Sequence, residues 1–237
     1  MTATASCNTA IILAGGLGTR LRSVVPDLPK CMAPVHGKPF IHYVISHLQD
    51  QGIQQFIFAL GYKHEYFLDY LRQALPAGNY ELSMEEEPLG TGGAIRQACR
   101  LVPSTAVLVT NGDTLFKGDI NALAATHTAH QAYCSLLLKP MQQFSRYGVV
   151  ELNAEQRITS FREKQYYEAG LINAGMYLLE TAPFLLENLP EKFSFEKDYL
   201  EAFYASRTFT GLAQDAYFID IGIPEDYARA QRELLST

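Results

Sequence analysis

The sequence predicts a mainly parallel α/β sheet covered by helices on both faces, within one domain. Three observations carry this. Short apolar runs of strand length alternate with segments whose apolar residues recur every three to four positions. The runs TAIILA, QQFIFAL and TAVLVT are near-continuously apolar, as strands buried on both faces require. The third is size: 237 residues, 48% hydrophobic and 19% charged, suffice for one large core, with no Pro/Gly/Ser-rich linker to divide them.

In chain order, TAIILA is the first strand, and Ile41, Val44, Ile45 and Leu48 mark a helix after a long loop. QQFIFAL is the second strand, and Tyr66, Phe67, Tyr70 and Leu71 form a helical face behind it. YELSM is the third strand; Ile95, Ala98 and Val102 mark a helix opening in a glycine-rich turn. TAVLVT is the fourth strand. Beyond Gly118, AYCSLLL, YGVVEL, RITSFRE and LINAGMYLL are strand-like with short connections, which predicts antiparallel additions to the sheet. FIDIGIPEDYARAQRELL reads as strand, turn and Pro-started helix. The expected division is a short tail over residues 1–9 and one domain over 10–237.

Composition removes several function classes. The chain has 19 basic and 25 acidic residues, net −6, with no Lys/Arg cluster of the kind nucleic-acid binding needs. No apolar run is long enough for a membrane span, and the first ten residues lack a basic leader, so a cytoplasmic protein is expected. Cys7, Cys31, Cys99 and Cys134 are scattered without a C-x-x-C pair, and are read as reduced thiols. His42 and His47 lack ligand spacing and are read as surface or half-buried helix residues.

Ligands of open parallel sheets sit beyond the carboxyl ends of strands. The first such place is IILAGGLGTRL. A dinucleotide fingerprint would need glycine where Leu21 stands, and a P-loop would need Lys-Ser/Thr at the far end of the loop. Yet Gly15, Gly16 and Gly18 let backbone N–H groups approach an anion, and Arg20 and Lys30 supply positive charge. The second place is EEEPLGTGGAIRQA: a helix start offers free N–H groups, and the acidic residues before it can accept hydrogen bonds from a base, although Thr91 could equally be a cap. The third is Asp113 after TAVLVT, joined by Asp220 in YFIDIGIPEDY. Two carboxylates at strand ends suit magnesium, which takes one or two carboxylates besides substrate phosphates. Ser194, Glu196 and Asp198 in FSFEKDYL read as an N-cap and the acidic first turn of a helix.

LAGGLGTRL followed by LPKCMAPVHGKPF resembles the signature of the sugar-1-phosphate nucleotidyltransferases, whose members usually carry proline where this chain has Cys31. The resemblance runs from about Ala10 to the last helix. It implies a Rossmann-like fold of the nucleotide-diphospho-sugar transferase type, with a nucleoside triphosphate and a sugar 1-phosphate as substrates and Mg2+ as cofactor. Homo-oligomerisation stays open. It assigns Leu13, Ala14, Gly15, Gly16, Gly18, Thr19, Glu85, Gly90, Thr91 and Gly112 to the nucleotide. Gly148, Glu163, Lys164, Asn173 and Gly175 fall to the sugar phosphate, and Asp113 and Asp220 to the metal.

A sugar 1-phosphate oxygen would attack the α-phosphorus, with Arg20 on the leaving pyrophosphate, Lys30 between the reacting phosphates and Asp113 beside them. Such a nucleophile is already ionised, in keeping with the lack of a Ser/His/Asp set. Within the family the likeness is strongest to members that activate a heptose 1-phosphate with GTP. Mannose 1-phosphate and N-acetylmuramate 1-phosphate remain as alternatives, because spacing does not separate a heptose from a hexose. A non-catalytic regulatory relative could dispense with Arg20, Lys30, Asp113 and Asp220, all of which are present.

Overall fold

Strand β1 (Thr9–Leu13) organises a nine-stranded sheet. Ala10 and Ile12 face one core and Ile11 the other, all three fully buried, so the strand can only lie inside. The computed structural model describes residues 7–16, 19–21, 23–61 and 63–234.

A hairpin of β2 (Pro34–Val35) and β3 (Lys38–Pro39) precedes helix α1 (Phe40–Asp50). Its turn residues His36 and Gly37 have φ of 47° and 78°, the left-handed pair that a two-residue hairpin loop demands. Then β4 (Gln55–Leu60), α2 (Glu65–Ala74), β5 (Tyr80–Met84), α3 (Gly90–Cys99) and β6 (Ala106–Asn111) alternate as the periodicity predicts. Strands β4 and β6 flank β1 in parallel, and β5 lies beyond β4.

Strand β7 (Thr114–Phe116) leads to α4 (Ile120–Ala129). The hydrophobic periodicity does not predict α4, because its run of alanines and threonines blurs any apolar stripe. Next come β8 (Cys134–Phe144), β9 (Val149–Leu152), β10 (Ile158–Arg162) and β11 (Tyr167–Glu180). As expected these are antiparallel additions: β11 pairs with β6, β8 and β9, and β9 with β10.

After α5 (Thr181–Leu186) the chain makes a π-helical turn, Phe195–Leu200, continued by α6 (Glu201–Phe203). Strand β12 (Phe209–Ala213) then runs parallel to β8 at the sheet edge, an addition outside the antiparallel expectation. Strand β13 (Phe218–Asp220) pairs with β7, and α7 (Pro224–Glu233) closes the described fold.

Helices α1, α2, α4 and α7 pack into one core, and α3 and α5 into the other. The second core contains an aromatic group in which Phe184 meets Tyr199 at 4.8 Å and Tyr177 meets Phe195 at 5.0 Å between ring centres. Each edge contact contributes roughly 0.5–1.5 kcal/mol beyond burial. They fix the π-helical turn against the sheet, close to the site described next. Among the described residues no helix is long and apolar enough to cross a membrane, and all four cysteines are free. His42 and His47 are both half-buried on α1.

Candidate active site

The carboxyl ends of β1, β4, β5 and β6 open on a cavity of about 860 Å³. Leu13, Ala14, Gly15 and Gly16 line it at the end of β1, together with Glu85, Gly90, Thr91, Lys30 and Asp113. The sheet holds this rim by backbone bonds: Ala14 N donates to Ala59 O at 2.9 Å and Glu85 N to Leu60 O at 2.8 Å.

Gly15 is required by its neighbour. A Cβ there would stand 2.6 Å from Glu85 Oε1, so glycine lets the carboxylate lie against the loop. Glu85 Oε2 accepts from Leu89 N at 3.0 Å, and burial raises its pKa despite that bond.

Lys30 forms an ion pair with Asp113, both side chains largely buried. Burial opposes the ammonium, but the Asp113 carboxylate, with Asp220 behind it, lifts the Lys30 pKa above its ordinary value. Asp220 arrives from the far end of the chain. The antiparallel β7–β13 pair sets Asp220 opposite Thr114, and Ile221 N donates to Asp113 O at 3.1 Å. Burial and then the Asp113 charge raise the Asp220 pKa, against the pull of Lys30. Gly222 N donates to Asp220 Oδ1 at 2.7 Å, Tyr147 Oη donates to Oδ2 at 3.4 Å, and Arg146 Nη2 lies 3.5 Å from Oδ2. Arg146 is itself anchored by an ion pair with Asp226.

A second cavity, of about 370 Å³, adjoins the antiparallel strands. Gly148, Glu163, Lys164, Asn173 and Gly175 all line it, together with Asp220 and Tyr147. Gly175 has φ of 73°, and a Cβ there would meet Asn111 Nδ2 at 2.5 Å. A register shift in β11 between Asn173 and Tyr177 places it so, and Asn173 Oδ1 accepts from Gly175 N at 2.9 Å. Gly148 is as constrained, since a Cβ would stand 2.5 Å from Arg162 O.

Some assigned residues fall elsewhere. Arg20 is exposed in a 3₁₀ turn, Thr19–Leu21, and lines neither cavity. Gly112 lines neither; it donates to Leu13 O at 2.8 Å and leaves room for Cys31 Sγ. Gly18 lies outside the described residues, and of Thr19 only the backbone is described. Gly90, besides facing the cavity, has φ of 72° and a Cβ position 2.5 Å from Phe193 O. Thr91 is not the cap of α3; that place is Leu89.

Sequence reading also missed residues. Asn111 lines both cavities, and its place at the end of a strand two residues before Asp113 could have signalled it. Arg146 and Asp226 are 80 residues apart and carry no local signal. Glu196, read as structural, lines both cavities as well.

The geometry is thus a large cavity fit for a nucleotide, a smaller polar one, and a lysine and two aspartates between them. Comparison with known proteins agrees. The nucleotidyl transferase family pattern matches residues 9–237. A D-glycero-alpha-D-manno-heptose 1-phosphate guanylyltransferase of Aneurinibacillus thermoaerophilus is 49% identical over 225 residues, 95% of this chain and 97% of its own. The enzyme of that name from Campylobacter jejuni is 43% identical over 218 residues, 92% and 96% of the two chains. The crystal structure of HddC from Yersinia pseudotuberculosis complexed with GMP-PN superposes with a TM-score of 0.85 at 37% identity, covering 96% of this chain and all of the other.

Proposed function

The chain belongs to the nucleotidyl transferase family, and from that premise we propose that it transfers the guanylyl group of GTP to D-glycero-alpha-D-manno-heptose 1-phosphate. The observation that carries this reading is two adjoining cavities, the larger lined by Lys30 and Asp113 and the smaller by Asp220, within a chain 49% and 43% identical to enzymes named for that reaction.

GTP occupies the larger cavity, its phosphates towards Gly15, Gly16 and Lys30 and its base towards Glu85. The sugar 1-phosphate lies in the smaller one, with Lys164 as a cation for its phosphate and Glu163 as an acceptor for hydroxyls. A phosphate monoester has its second pKa near 6, so the nucleophile is ionised at neutral pH. A sugar-phosphate oxygen bonds to the α-phosphorus, the α–β bridging bond breaks, and pyrophosphate leaves with the electron pair. No proton moves. The protein's share is alignment and charge neutralisation.

Lys30 sits at the junction, where it can contact both reacting phosphates. Arg20, which follows the glycine loop in the chain, is the cation for the leaving pyrophosphate. The donor set suits magnesium: two half-buried carboxylates, with the Asp113 charge helping to raise the Asp220 pKa, and no third acidic, His or Cys ligand among the described residues. Asp113 and Asp220 would hold the ion, which would neutralise charge on the phosphates during transfer. With nucleotide substrates of this kind the protein works in the cytoplasm.

Pyrophosphate release measured with GTP, UTP, ATP and dTTP against heptose, mannose, glucose and N-acetylmuramate 1-phosphates tests the reading. The GTP and heptose 1-phosphate pair should give the highest kcat/KM. A preference for mannose 1-phosphate would overturn the acceptor, and release with none of the pairs would overturn the reaction.

A further inference from the structure

Glu196 stands where the two cavities meet. Its neighbours behave as a helix start: Ser194 Oγ accepts from Lys197 N at 3.2 Å, and Asp198 Oδ2 accepts from Ser194 N at 2.7 Å. Glu196 is differently engaged. Its Oε2 accepts from Thr91 Oγ1 at 2.8 Å and from Ser194 Oγ at 3.0 Å, while Oε1 has no hydrogen-bond partner among the described residues. A hydroxyl has one proton to donate, and Thr91 and Ser194 each give theirs to Glu196. Thr91 Oγ1 in turn accepts from Phe195 N at 2.9 Å.

The loop and the π-helical turn are tied along their backbones too. Phe193 N donates to Leu89 O and Gly92 N to Phe193 O, both at 3.0 Å. Gly92 and Gly93 admit this contact: a Cβ on the first would strike the Phe193 ring and on the second Glu191 O at 2.5 Å. The glycines of PLGTGGA therefore serve this docking as well as any nucleotide.

A carboxylate with one oxygen committed and the other free, at the wall of a sugar-sized cavity, is an acceptor for neutral hydroxyl donors. We propose that Glu196 binds hydroxyl groups of the acceptor sugar, and that Thr91 positions it, so that the loop facing the nucleotide also sets the sugar pocket. This rests on the guanylyl-transfer reading above. Glu196 is the residue that touches substrate; Thr91 acts on the sugar through it.

The test is steady-state kinetics of pyrophosphate release with heptose 1-phosphate and GTP, each varied against saturating partner, in wild type, Glu196→Gln, Thr91→Val and Thr91→Ser. Glu196→Gln is expected to raise the KM for heptose 1-phosphate more than fivefold and the KM for GTP less than half as much. Thr91→Val should also raise the sugar KM more than fivefold, and Thr91→Ser, which keeps the hydroxyl, should return it to within twofold of wild type. The proposal is overturned if the sugar KM stays within fivefold in both non-conservative variants, or if Glu196→Gln raises both KM values in equal proportion, as mere loosening would. Should Glu196→Gln fail to fold, the Thr91 pair decides alone. A wild type that releases no pyrophosphate would instead sink the function on which the inference stands.

Discussion

The two halves of the sheet build their cavities in different ways. On the parallel side every strand ends at the cavity, so β1, β4, β5 and β6 each deliver residues at or just past their ends. On the antiparallel side, successive strands point in opposite directions and no common end exists. There the lining comes from inside β11, from the bulge at Asn173–Tyr177, and from turns flanking β9 and β10. The difference teaches that a nucleotide site can be a by-product of topology, whereas the acceptor pocket depends on particular side chains and on missing ones.

The sharpest check of that contrast lies at the boundary. Lys30→Ala, Asp113→Ala and Asp220→Ala should each lower kcat by a hundred- to a thousandfold, about 3–4 kcal/mol of transition-state stabilisation, with both substrates still bound. A loss confined to the KM of one substrate would move that residue out of the junction and into one half. Next comes Glu85→Gln on the parallel side. Losing a charged hydrogen bond to the base costs about 1.5 kcal/mol, so kcat/KM for GTP should fall roughly tenfold. An unchanged nucleotide preference would remove Glu85 as the reader of the base.

Gly175→Ala probes the antiparallel side. Forcing a side chain into a left-handed conformation costs about 1–2 kcal/mol, and the new Cβ must displace Asn111. The urea midpoint should fall, and the KM for the sugar phosphate should rise more than that for GTP. Equal effects on both would show that the two cavities are less separate than their architecture suggests.

The smallest effect is remote from both. His127 Nδ1 lies 2.8 Å from Ser135 Oγ, which lies 2.7 Å from Thr210 Oγ1, and His127 Nε2 lies 3.1 Å from Glu180 Oε1. Burial lowers the His127 pKa despite the Glu180 carboxylate. The unfolded chain then binds more protons below the ordinary histidine pKa, so stability is full above about pH 6.5 and declines as pH falls through that value. His127→Gln should flatten the fall in denaturation midpoint between pH 7.5 and 5.5, though not abolish it, since burial also lowers His42 and His47.

Legibility in the sequence follows the same divide. The alternation from β1 to β6 could be read directly, because strands buried on both faces advertise themselves as apolar runs. The glycine loop and Glu85 could be read because they stand next to those strands, and Lys30 because it follows Pro29 in the motif that continues the loop. Helix α4 and strand β12 were hidden, one by alanine-rich composition, the other because a short edge strand has no pattern of its own. Arg146, Asp226 and Glu196 were hidden for a different reason. Each gains its place only from a partner 80 to 105 residues away or from a contact between loops. Arg20 shows the converse: a cation in a persuasive motif that the fold leaves at the surface.

The pairing of β7 with β13 has a consequence for how the protein comes to life. A chain emerging from the ribosome as far as β7 already carries the glycine loop, Lys30 and Asp113, but Asp220 is still more than a hundred residues from being made. If Asp113 and Asp220 hold the ion as proposed above, half of the metal site is made early and the other half late. On that reading, turnover waits until the three-residue strand β13 docks against β7.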